Sequence, residues 1–162
     1  MKVVAIVASA VLLCSAGLAG AAGGTDTTSS SNYSASGKAE DPAVKTAKTA
    51  IAAGDFATAQ IGLKVALAAD PGNADLHNLY AYSVRKGAKP DMDLVFKHYT
   101  EALRIDPKHR GAQEYIGEAY LMVGNLTKAK EHLAALDKLC FFGCEEYDML
   151  KKAVAAYEAK PK

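Results

Sequence analysis

The sequence predicts an all-α fold, an α-solenoid of three helix–turn–helix units followed by a C-terminal capping helix. Three observations predict it. From Asp41 onward apolar residues recur at i, i+3 and i+4 spacing, which gathers them on one face of a helix. Two turn signals, Asp70-Pro71-Gly72-Asn73 and Asp106-Pro107-Lys108-His109, lie 36 residues apart, and each ends a segment of one pattern, Ala66-Leu67-x-x-Asp-Pro and Ala102-Leu103-x-x-Asp-Pro. A second signature, a turn residue followed by an apolar residue and then Ala, occurs at Gly54-Asp55-Phe56-Ala57-Thr58-Ala59 and at Gly124-Asn125-Leu126-Thr127-Lys128-Ala129. Self-similarity at that period means one helix pair per unit.

The elements follow in order. Asp41-Pro42 opens a helix over about 42–53, with Asp to accept the free amides of the first turn and Pro where its missing donor is harmless. Gly54 supplies the turn to a second helix, about 56–68, whose Ala59 lets the paired backbones approach; Pro71 closes the unit. The third helix, about 74–86, carries His77, Tyr80, Ala81 and Val84. A longer turn, Gly87-Ala88-Lys89-Pro90, leads to the fourth, about 91–104, with Val95, Tyr99 and Ala102 before Pro107. The fifth, about 110–123, ends at Gly124, and the sixth runs over about 126–139. Cys140-Phe141-Phe142 stands where the earlier units have a closing Pro. The last helix, about 145–159, presents Tyr147, Leu150, Val154 and Tyr157 to one side and lysines to the other, as the polar-backed cap of a solenoid must. The units are then about 40–73, 74–109 and 110–143, with the cap at 145–159, and the Ala-rich first unit is expected to be the weakest.

The third unit, with Ile116-Gly117, Tyr120, Gly124, Leu126, Ala129 and Leu133, resembles the tetratricopeptide repeat (TPR), a helix–turn–helix unit of about 34 residues. The resemblance covers residues 40–159. It implies a non-enzymatic adaptor or scaffold that binds a protein or peptide on the concave face, lined by the first helix of each unit. The positions this face would use here are Lys48, Ile51, Asn78, Tyr82, Arg85, Glu114, Glu118 and Leu121. TPR arrays that hold a C-terminal carboxylate place Lys and Asn at two of those positions. The corresponding pairs here are Val44 and Lys48, Asn78 and Tyr82, Glu114 and Glu118, a departure that argues against a carboxylate clamp. Tyr82 and Arg85, one turn apart, read either as an interface anchor pair or as ordinary solvated surface residues.

Residues 1–21 read as a secretory signal peptide: Lys2, an apolar core from Val3 to Leu13, and the small-x-small run Ala19-Gly20-Ala21. The alternative is a retained membrane anchor, since about 20 apolar residues suffice to cross a bilayer. The Ala/Gly-rich second half, weakly hydrophobic on insertion scales, favours cleavage. Leu13 precedes Cys14, where lipid attachment would want a small residue. Residues 22–40, mostly Gly, Ser and Thr, read as a disordered tether before a domain over 41–160. The expectation is an exported bacterial protein, periplasmic or secreted, with membrane contact only if the signal is retained. Interspersed charges, 19 basic against 18 acidic for a net +1, indicate no nucleic-acid partner.

Chemistry has few candidates. Cys140 and Cys144, in C-x₃-C spacing, favour a disulfide in an oxidising compartment, with Gly143 free to adopt the left-handed turn that bonding needs. A thiol-redox pair or a metal-handling site remains as the alternative. His77, His98, His109 and His132 fall on different helices without ligand spacing and read as packing or surface residues. Neither G-x-S-x-G nor a phosphate-binding Gly loop precedes a helix. Glu145-Glu146 reads as complement to a helix dipole, and Asn32-Tyr33-Ser34 and Asn125-Leu126-Thr127 match the N-glycosylation pattern by composition alone. No catalytic residue, metal, cofactor or small-molecule substrate is indicated.

Overall fold

Apolar periodicity and turn chemistry become seven helices in a computed structural model, which describes residues 40–160. They are α1 Pro42–Ala52, α2 Phe56–Ala69, α3 Ala74–Lys86, α4 Met92–Ile105, α5 Arg110–Met122, α6 Leu126–Leu139 and α7 Glu145–Glu158, each within one residue of its expected bounds. The expected signal peptide and the expected tether up to residue 39 lie outside the described residues.

The helix starts are fixed by short side chains that relieve unpaired amides, a contribution of about 1 kcal/mol each. Asp41 accepts from the Ala43 amide, Asp55 from Thr58, Asn73 from Leu76, Asp91 from Leu94 and Asn125 from Lys128. At α5 the cap is a histidine: His109 Nδ1 accepts from the Ala112 amide at 3.1 Å, and its Nε2 therefore carries the proton it donates to Asp75, 3.2 Å away. Gly54 and Gly124 turn the chain at φ 74° and 79°, the left-handed region that a Cβ disfavours.

Among the described residues α1, α3, α5 and α7 approach one another in succession, whereas α2, α4 and α6 do not. The first helices of the units therefore form the inner face of a curved array, and the second helices spread along the outer face. A main core joins Val44, Leu63, Leu76, Tyr80, Val95, Tyr99 and Ile116; a second, Ala129, Leu136, Leu150 and Val154, joins α6 to α7, with Tyr120 packed against both. Gly117 lets α7 close on α5, since a Cβ there would lie 2.6 Å from Leu150 Cδ2. Among the described residues no helix is long and apolar enough to cross a membrane.

Candidate functional site

The stacking of α3, α5 and α7 on the inner face decides which polar side chains meet. Arg85 leaves α3 one turn after Tyr82, and at 6% exposure it is neither a solvated residue nor a free anchor. Its Nη2 pairs with Glu118 Oε2 on α5 at 2.7 Å, its Nε donates to the Tyr99 hydroxyl at 3.4 Å, and its guanidinium lies 5.4 Å and 5.7 Å from the ring centres of Tyr82 and Tyr115. One buried cation thus holds α3, α4 and α5 in register. Tyr99, wholly buried, has its hydroxyl pKa pushed up by that burial.

Beside this cluster a cavity of about 240 Å³ opens between α3, α5 and α7, lined by Tyr82, Arg85, Lys86, Glu114, Tyr115, Glu118, Glu145 and Met149. Burial, then Glu118 and Glu146, push the carboxyl of Glu114 up to about 8 against the opposing pull of Arg85. A second cavity, about 280 Å³, continues along the inner face past Arg85, Glu118, Leu121 and Met122 to Tyr157. Five of the sequence-predicted groove residues, Tyr82, Arg85, Glu114, Glu118 and Leu121, therefore line two neighbouring cavities.

The others lie apart. Lys48 on α1 pairs with Glu40 at 2.6 Å, and Ile51 packs partly buried against the main core. Asn78 is buried on α3, its amide nitrogen 3.5 Å from where a Cβ on Gly111 would stand. Four residues that line the first cavity were missed: Lys86, Tyr115, Glu145 and Met149. Treating α7 only as a cap hid two of them, although a helix following unit three necessarily occupies the next inner-face position. Glu146, expected to complement the α7 dipole, is 4% exposed and faces Arg110 Nε at 3.6 Å.

Two further polar groups pack the units together. His77 Nε2 donates to the Pro71 carbonyl at 3.0 Å, so its Nδ1 accepts from His98 Nδ1, 2.8 Å away, and His98 meets the Tyr80 ring edge-on. Burial, then the neighbouring His77, lower His98 to about 4. His132 contacts Gln113 at 2.7 Å and stacks on Tyr120. Among the described residues no group of three or more potential ligands is placed to hold a metal ion. Cys140 ends α6 and Cys144 caps α7, with Cα atoms 5.5 Å apart and sulfurs at bonding distance, across a turn in which Gly143 takes φ 85°. The loop between them holds Phe141 and Phe142 in solvent, 86% and 96% exposed.

No family model matches the sequence, and neither does any curated protein. Solved structures do resemble the chain. The type III secretion translocator chaperone SycD of Yersinia enterocolitica superposes with a TM-score of 0.62 at 16% identity, over 72% of this chain and 79% of that one. The second TPR domain of human RPAP3, in complex with the HSP70 peptide SGPTIEEVD, gives 0.61 at 21% identity over 73% and 93%. SycD bound to a peptide of the translocator YopD gives 0.59 at 16% identity over 71% and 86%. The chain has the fold of the TPR-like helical solenoids.

Proposed function

We propose that the chain is a non-enzymatic protein-interaction module of the cell envelope that binds a protein or peptide segment along the inner face of α3, α5 and α7. The observation that carries this reading is the pair of adjoining cavities on that face, lined by side chains from all three helices. A rigid inner face with aromatic and charged side chains suits an extended or helical segment, because little of the site has to be ordered on binding. Two of the structural neighbours hold peptides, the human domain SGPTIEEVD and SycD a YopD peptide. The peptide of the human domain carries three acidic side chains. The carboxylates at Glu118 and Glu145 here, joined by Glu114 once it ionises, would repel such a ligand, consistent with the missing carboxylate clamp. Export rests on residues 1–21, and a periplasmic or secreted bacterial protein follows from them.

The thiol reading is the weaker one. Three acids, Glu145, Glu146 and Asp148, occupy the first turn of α7 and oppose the helix-dipole field that favours a reactive thiolate at a helix start. A disulfide tying α6 to α7 fits better.

Affinity capture of the tagged, exported protein tests the proposal. Tyr82→Ala with Met149→Ala should reduce recovery of a specific partner about tenfold while helicity is retained. Equal recovery would move the site off the inner face. Arg85 is unsuitable for this test because it holds three helices together. N-terminal sequencing of the exported form should begin near Ala22, whereas an intact Met1 would contradict cleavage.

A further inference from the structure

The cavity between α3, α5 and α7 is unbalanced in charge. Its walls hold three carboxyl groups, Glu114, Glu118 and Glu145, against two cations, Arg85 and Lys86, so that ionisation of Glu114 leaves one negative charge in excess. Arg85 is already committed to Glu118 and to the Tyr99 hydroxyl. Lys86 sits exposed on the rim. Glu114 is 5% exposed as a residue, and its carboxyl, which no hydrogen bond or ion pair engages among the described residues, is not sealed in the core but reaches the cavity. Buried carboxylates are almost always hydrogen-bonded, and one left unpaired facing an opening is short of a donor. Glu146, buried behind it, adds to the negative potential at that point, and its own partner Arg110 stands 3.6 Å from it. At about 240 Å³ the cavity falls below the roughly 300–1,000 Å³ usual for small-molecule sites, but it has room for one side chain.

We propose that this cavity receives the cationic end of a lysine or arginine side chain from the bound peptide, with Glu114 as its principal acceptor and Glu118 and Glu145 as flanking charges. This rests on the inner-face reading and adds the chemistry of the ligand to it. The ammonium or guanidinium supplies the donors that Glu114 lacks and offsets the one negative charge in excess when Glu114 is ionised. Specificity follows, because a site built to pair a buried charge rejects an uncharged isostere by leaving that charge uncompensated. Binding is linked to protons: with Arg85 and Lys86 facing it from α3, Glu118 on its own helix and Glu145 and Glu146 from α7, Glu114 must ionise before it can pair.

Two probes on the full chain test this. The first is Nα-acetyl-lysine methylamide, compared with its Nε-acetyl derivative by amide chemical shifts. The amine is expected to give saturable shifts at Glu114, Tyr115 and Glu118, more strongly at about pH 8.5 than at about 6.5. Both the uncharged derivative and the Glu114→Gln chain should give none. Equal shifts from the two compounds, or none from either, would overturn the proposal. The second is a displayed library of random peptides selected on the chain, with each Lys or Arg of the selected peptides then replaced by norleucine. One replacement should weaken binding about tenfold or more in the native chain and under twofold in Glu114→Gln. Peptides that bind the inner face with no cationic preference would overturn this inference and leave the inner-face reading standing. Amine shifts with no peptide selected would support the cation cavity and count against the peptide reading.

Discussion

The two ends of the array solve the same problem with different materials. Unit one buries Val44, Ala47, Ala59 and Leu63, mostly short side chains, and its outer side is an apolar recess lined by Pro42, Ala43, Thr46, Ala50 and Ile61. Among the described residues α1 packs only against α2 and α3. In unit three, α5 is covered on one side by α3 and α4 and on the other by α6 and α7, and it buries Gln113 and Glu114 alongside Ile116, Gly117 and Ala119. A helix with covered flanks can keep charged groups out of bulk water and orient them, whereas α1 buries only Val44 and Ala47. The groove chemistry therefore belongs to the middle and the capped end, and the first unit supports it mainly by packing against α3.

The largest blow to the capped end should come from Arg85→Ala. Removing the guanidinium strands Glu118 beside Glu114 and leaves the Tyr99 hydroxyl without its donor. A loss of about 3–5 kcal/mol is expected in urea unfolding. A loss under about 1 kcal/mol would mean that the pair is solvated. Gly117→Ala should come next, at about 1–3 kcal/mol, because the gain in helix propensity is outweighed by the clash with the wholly buried Leu150 side chain, which has to shift. Unchanged stability would show that α7 can slide away from α5.

The His77–His98 contact predicts a smaller, pH-dependent effect in the middle of the array. The folded pKa of His98 is depressed to about 4 from an ordinary 6.5, so its neutral form is favoured in the fold. Its contribution is complete above the unfolded value and is lost as pH falls from about 6.5 towards 4. His77 from α3 and Lys97 disfavour the charge while Glu101 favours it. After allowance for partial exposure the loss is about 1–2 kcal/mol, and unfolding of His98→Phe should lack that slope. An unchanged slope would assign it to other groups. The disulfide is of the same size: paired Cys140→Ser and Cys144→Ser substitutions should cost about 1–2 kcal/mol, since so short a loop constrains the unfolded chain little. Native-state hydrogen exchange should sharpen the comparison of the ends, with α1 amides opening at the lowest free energy and α5 amides near the global value.

Helix bounds were readable because each is written locally. Asp55, Asn73, Asp91 and Asn125 all accept the amide three residues on, and Gly54 and Gly124 fall where only a left-handed turn fits. The Cys140–Cys144 turn was readable for the same reason. The site was legible only as a face: helix spacing places Tyr82, Arg85, Glu114 and Glu118 on one side of the array. What spacing cannot supply is depth. Arg85 reads as surface until Glu118, 33 residues away, and Tyr99 enclose it, and Glu146 reads as a dipole complement until Arg110 faces it across α5. His109 as a cap and His77 against His98 depend on ring orientation, which no residue pattern encodes.

The inner-face claim is tested most directly by a photoreactive benzoylphenylalanine placed at Met149, on the cavity rim, and separately at Val65, exposed on α2, in the full chain. Irradiation in intact cells should give a discrete crosslinked protein at Met149 and none at Val65. A product at Val65 alone, or the same product from both positions, would contradict recognition by the inner face.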